Sequence, residues 1–219
     1  MKTCIVIGAA KDNIDLEFIE ACSGLNGKEY YTYCADGGYK NALKIGIKID
    51  KIIGDADSMQ MYKNTFIDII DKNQIVLLPN EKDETDSFAC VLDAIDEGYK
   101  EFVLLFCTGG RLDHFMGALA ILEYVNSKGA RAIILDSKNL IMLLKNDEIN
   151  IEKLSEFKYV SIIPLDEMIF GVSTEGLKYP LKDETLYRKM GRGVSNELLF
   201  DKGKIIIKEG SALVIYSND

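Results

Sequence analysis

The chain has 219 residues, of which 47% are hydrophobic and 28% charged, with only 3 prolines. That is enough apolar material for one large domain or two small ones, and it excludes a disordered chain. A net charge of −9 with no basic stripe argues against nucleic acid or an anionic membrane as the partner.

The longest apolar runs, such as Val103 to Phe106, are far short of a membrane span. The stretch from Met1 to Gly8 reads as a strand and lacks the features of a signal peptide. The five cysteines, Cys4, Cys22, Cys34, Cys90 and Cys107, include no CxxC pair. They read as small buried hydrophobes of a reducing compartment, and a cytoplasmic protein is expected. With His114 as the single histidine, a structural zinc site is not expected.

In chain order, short β-rich runs at Thr3–Ile7, Tyr30–Cys34, Lys51–Ile53, Ile75–Leu78, Phe102–Phe106 and Arg131–Leu135 alternate with stretches of helical spacing. The clearest helices are Thr85 to Glu97, with Phe88, Val91, Leu92 and Ile95 on one face, and Phe115 to Val125. This alternation predicts an α/β domain over residues 1–136, a mostly parallel sheet with flanking helices. From 137 to 219 the runs are short and β-like: Ile141–Leu144, Tyr159–Ile163, Glu167–Gly171, Lys204–Ile207 and Leu213–Tyr216. Turn residues separate them, which predicts a smaller all-β domain, sandwich or barrel.

The polar motifs recur at strand ends. Ile7 is followed by Gly8-Ala9-Ala10, Cys34 by Ala35-Asp36-Gly37-Gly38, and Ile53 by Gly54-Asp55-Ala56-Asp57-Ser58. Leu78 leads to Lys82-Asp83-Glu84-Thr85-Asp86, and Phe106 to Thr108-Gly109-Gly110-Arg111-Leu112-Asp113-His114. In a parallel sheet these ends share one edge, where open α/β sheets bind ligands, so five loops should converge on one cleft.

Residues 1–135 hold 14 Lys+Arg against 21 Asp+Glu, and the remainder 12 against 14. The acidic excess therefore sits with the motifs, six of whose members are aspartates. Such a site repels a bare polyphosphate and requires divalent cations as intermediaries. Asp55 and Asp57, two apart on an extended segment, present paired carboxylates that suit Mg²⁺. A polar turn accounts for the same residues when they are taken alone. Asp83 or Thr85 can cap the following helix, and Asp86 suits its first turn. Gly109 and Gly110 let backbone N–H groups approach a phosphate, and Arg111 offers a planar fork. Asp113 can bind metal or orient a hydroxyl. His114 serves equally as a site residue or as a helix-start packing residue. In the β half, Gly193-Val194-Ser195-Asn196-Glu197 reads as a site loop or as a tight hairpin.

Taken together and in order, these motifs, with Gly176-Leu177-Lys178-Tyr179-Pro180-Leu181, resemble bacterial thiamine pyrophosphokinases over about residues 4 to 217. The resemblance implies an α/β nucleotide-binding catalytic domain followed by a β-sandwich that binds thiamine. It implies an ATP-dependent diphosphotransferase, a homodimer with thiamine bound between the subunits, and Mg²⁺ as cofactor. By motif, Asp55, Asp57, Asp83 and Asp86 would hold Mg²⁺ and the ATP phosphates. Asp36, Gly37, Gly38, Thr108, Gly109, Gly110 and Arg111 would form the ATP site. Asp57, Asp86, Arg111 and Asp113 would carry the chemistry, and Asp113, His114, Ser195 and Asn196 would meet thiamine. Eukaryotic members stack the vitamin on a Trp, which this chain lacks, so a Tyr or Phe is expected there. Two other readings compete. One is a metal-dependent phosphoesterase, for which a single histidine is too few. The other is a non-catalytic nucleotide or vitamin binder, which has little use for so many carboxylates.

Overall fold

The computed structural model describes residues 2–55, 74–78 and 84–219. Asp57 and Asp83 lie outside these residues. The chain divides into two compact units, Met1–Ser137 and Lys138–Asp219.

In the first unit six strands form a parallel array. They are β1 (Thr3–Ile7), β2 (Tyr30–Ala35), β3 (Lys51–Asp55), β4 (Ile75–Leu78), β5 (Glu101–Leu105) and β6 (Arg131–Leu135). Their order is β4-β3-β2-β1-β5-β6. Every pairing in it is parallel. The central strand β1 is buried along its whole length, as an unbroken apolar run requires.

The helices are α1 (Leu16–Ser23), α2 (Tyr39–Ile45), α3 (Asp86–Asp96) and α4 (Leu112–Ser127). Asp15 caps α1, its carboxylate accepting from the Phe18 N–H at 2.8 Å, and Gly24 ends the helix in the left-handed region. Thr85 caps α3 in the same way through Phe88. At the far end of α3 the Lys51 ammonium meets Asp93 at 2.5 Å and Glu97 at 2.9 Å. The Tyr33 hydroxyl donates to Glu97 at 2.8 Å. This network ties the C-terminal part of α3 to β2 and β3. The helix N-terminus, with Asp86, is thereby held at the opposite edge of the sheet.

The second unit is antiparallel throughout. Strands β7 (Asn139–Lys145), β13 (Ser211–Ser217) and β9 (Tyr159–Pro164) form one layer in that order. Strands β11 (Glu184–Tyr187), β10 (Met168–Glu175), β12 (Lys202–Ile206) and β8 (Glu148–Glu152) form the other. Ile169, Val172, Ile205 and Val214 are fully buried in this unit. The architecture is therefore α/β followed by a β-sandwich, as the sequence predicts, with the sandwich alternative realised over the barrel.

Candidate active site

The loops that leave β1, β2 and β5 form one cleft of about 620 Å³ together with the starts of α3 and α4. The loop after β1 is fixed from two sides. Its Gly8 N–H donates to the Leu105 carbonyl at 2.8 Å and its Ala10 N–H to the Phe106 carbonyl at 3.0 Å. From α2, the Asn41 amide donates to the carbonyls of Gly8 and Ala10, both at 2.9 Å.

The exits of β2 and β5 both use non-glycine residues with positive φ, Asp36 at 44° and Phe106 at 56°. Phe106 is also buried, which makes it a costly place for a bulky residue in this conformation. Strain of this kind, of order 1–3 kcal/mol per residue, persists only where the surroundings impose it, and it clusters at functional sites. Here it turns the chain sharply from each strand into a cleft wall. Asp36 also packs on β3: a Cβ built on Gly54 would lie 3.1 Å from the Asp36 Cα and 3.4 Å from its Oδ1.

Of the residues singled out in the sequence, Asp36, Asp86, Thr108, Gly109, Gly110, Arg111 and His114 line this cleft. Gly37, Gly38 and Asp113 are not part of its lining. Gly38 is buried, and its role is packing: a Cβ there would sit 2.0 Å from the Ile7 carbonyl oxygen. Asp113 faces Arg111, accepting from its Nη2 at 2.6 Å and from its Nε at 3.2 Å. That guanidinium holds the Asp113 carboxyl down at about 2. Asp55 ends β3; the β3-to-β4 connection containing Asp57 and the residue Asp83 are outside the described residues.

Lining residues to which the motif reading gave no role include Lys11, Glu84, Ser87 and Cys107. Lys11 had one available signal, its place just past a strand end. Burial pushes the Cys107 thiol up to about 11, so it stays protonated and offers the cleft no thiolate. Among the described residues no three His, Cys, Asp or Glu side chains converge as a metal site. Asp36 and Asp86 nevertheless bring hard oxygen donors to the cleft, the type that suits Mg²⁺.

In the second unit, Ser195 is exposed with φ 56°, and its N–H donates to the Ser161 hydroxyl at 2.9 Å. Asn196 is buried. Its side chain accepts from the Tyr179 N–H at 3.0 Å and donates to the Tyr179 carbonyl at 2.8 Å. The Tyr179 side chain itself is 60% exposed.

The family model "Thiamin pyrophosphokinase, catalytic domain" matches residues 23–134, and "Thiamin pyrophosphokinase, vitamin B1 binding domain" matches residues 146–214. This chain belongs to the thiamin pyrophosphokinase family. A thiamine pyrophosphokinase of Bacillus subtilis is 28% identical over 220 residues, with both chains covered in full. Thiamin pyrophosphokinase 1 of Caenorhabditis elegans is 27% identical, covering 85% of this chain and 78% of its own.

Among solved structures, thiamin pyrophosphokinase from Geobacillus thermodenitrificans superposes with a TM-score of 0.82 at 26% identity, over 100% of this chain and 98% of its own. The enzyme from Candida albicans shares the fold at 17% identity, with a TM-score of 0.73 over 99% of this chain and 90% of its own.

Proposed function

We propose that this chain is a thiamine pyrophosphokinase, a transferase that moves a pyrophosphoryl group from ATP to the hydroxyl of thiamine and releases AMP. The observation that carries this reading is the paired match: a catalytic-domain model on the α/β unit and a vitamin-binding model on the sandwich, in that order. The strained, polar cleft at the strand ends supports it. In this reading the α/β domain spans 1–136 and the thiamine-binding domain 137–219.

The thiamine hydroxyl oxygen attacks the β-phosphorus in line, the bond to the α–β bridging oxygen breaks, and AMP leaves. Such transfer is mostly positioning and charge stabilisation. The N-termini of α3 and α4 lie at the cleft and bring backbone N–H groups toward the phosphates. Gly109, Gly110 and Arg111 form the rest of the phosphate cradle, with Thr108 and Asp36 toward the nucleotide and Gly37 and Gly38 shaping the turn behind Asp36. Asp55, Asp57, Asp83 and Asp86 would hold Mg²⁺, which supplies neutralisation of the phosphate oxygens. In this reading Asp113 takes the hydroxyl proton only after the phosphates draw Arg111 away, because a carboxyl held near 2 is a poor base.

Thiamine is read as bound between His114 and Asp113 of one subunit and Ser195 of its partner in a homodimer. Tyr179 supplies the flat surface, its backbone held by Asn196. Exposed apolar residues on each unit support a subunit contact: Leu112 and Met116 on α4, and Val194, Leu199 and Phe200 beside Ser195. No helix among the described residues is long and apolar enough to cross a membrane. Five cysteines that form no disulfide suit the reducing cytoplasm proposed as its location. Incubation with thiamine, ATP and Mg²⁺ tests the reading. Thiamine-dependent consumption of ATP that stops in excess EDTA is expected. Consumption of ATP at the same rate without thiamine would mark a hydrolase.

A further inference from the structure

The described cleft is acidic where it must receive a polyanion. Asp36, Glu84 and Asp86 line it, against Lys11 and Arg111. Arg111 is already engaged by Asp113 through two bonds. The Lys11 ammonium, in contrast, makes no hydrogen bond or ion pair among the described residues. The neighbouring Asp12 carboxylate does not claim it, being occupied by the backbone N–H groups of Asn13 at 2.7 Å and Ser137 at 2.8 Å.

A free surface lysine is usually just a solvated one. Two features separate Lys11 from that case. It lines the cleft, and its chain segment is held there by the Gly8, Ala10 and Asn41 hydrogen bonds. The same segment abuts the glycine turn: a Cβ built on Gly109 would lie 3.4 Å from the Ala10 Cβ and 4.0 Å from the Lys11 carbonyl oxygen. The base of Lys11 and the Gly109–Gly110 backbone are therefore adjacent walls of one space.

We propose that Lys11 is a phosphate ligand of the nucleotide, a cation with no partner among the described residues, on a fixed loop that joins the Gly109–Gly110 turn around the polyphosphate. The inference rests on the reading that the cleft takes ATP. A lysine contributes here as a point charge with three donors, without the fork geometry of arginine.

The test is binding without turnover. A non-cleavable α,β-methylene analogue of ATP, with Mg²⁺ and no thiamine, is titrated calorimetrically into wild type, Lys11→Met and Lys11→Arg. Lys11 is exposed, so both variants should unfold at the wild-type temperature. Loss of one charge-assisted contact should weaken the analogue about tenfold in Lys11→Met. Lys11→Arg should recover most of that loss. Unchanged affinity in Lys11→Met, or an equal fall in both variants, overturns the role of the charge. Absence of binding by wild type overturns the inference together with the nucleotide-site reading beneath it.

Discussion

The side chain of Asn196 grips the backbone of Tyr179 from both sides, accepting its N–H at 3.0 Å and donating to its carbonyl at 2.8 Å. Asn196 Oδ1 also accepts from the Glu197 N–H at 2.9 Å. A residue picked from sequence as a ligand for thiamine thus works inside the protein, positioning an exposed aromatic ring. Asn196→Asp replaces the donor by a carboxylate facing a carbonyl. It should destabilise the fold by about 1–3 kcal/mol in urea unfolding, the cost of a buried unsatisfied pair. The KM for thiamine should rise while affinity for nucleotide holds. Unchanged stability would remove the clamp from the account.

A contrast between two glycines separates packing from phosphate contact. At Gly38 a Cβ would sit 2.0 Å from the Ile7 carbonyl oxygen, whereas at Gly110 it would meet nothing within 4 Å. Gly38→Ala should cost about 3 kcal/mol or more, because backbone must move. Gly110→Ala should leave stability within about 0.5 kcal/mol and still weaken ATP, since the added methyl blocks the approach of the phosphate. Thermal unfolding and nucleotide titration of both variants check the pair.

The Arg111–Asp113 pair predicts a pH behaviour. Arg111 holds the Asp113 carboxyl at about 2, below its ordinary value near 4. Its folded pKa is depressed, so the stability it contributes is present above pH about 4 and is lost as pH falls through about 2. Both groups are exposed, and the effect on stability is screened. Carboxylate titration by NMR should find Asp113 ionised throughout pH 4–9. In Arg111→Met its midpoint should move up toward the ordinary range. An unshifted midpoint in that variant would mean that another group holds it down.

Much of this was legible in the sequence, for identifiable reasons. Strands β1, β4 and β6 are apolar runs whose edges coincide with changes in side-chain character, and the parallel pairing of the sheet places the loops after β1, β2 and β5 on one edge. Helices α1 and α2 were harder, with 8 and 7 residues and too few turns to display a period. Their punctuation was present, in Asp15 before α1 and in Gly24 and Gly46 after each helix. Strand β8 reads Glu-Ile-Asn-Ile-Glu, which hides an edge strand among polar residues. At the site, sequence picked the loops but not the direction of each side chain. Gly38, Asn196 and Lys11 differ in role only through what their atoms touch.

Subunit exchange tests the composite site. Asp57→Asn and the exposed Ser195→Arg each give homodimers of little or no activity in this account. In a mixed dimer one site carries both lesions and the other carries none. Random equal mixing by co-expression should restore roughly a quarter of wild-type activity. Activity at the level of the two parents, with mixed dimers isolated by dual tags, would place the whole site in one subunit.

The central claim is the transfer of a pyrophosphoryl group, and the nucleotide product reports it directly. With thiamine, ATP and Mg²⁺, chromatographic separation should find AMP and thiamine diphosphate formed in equal amounts. ADP with thiamine monophosphate would contradict the account, because the bond broken would then be the one at the γ-phosphorus.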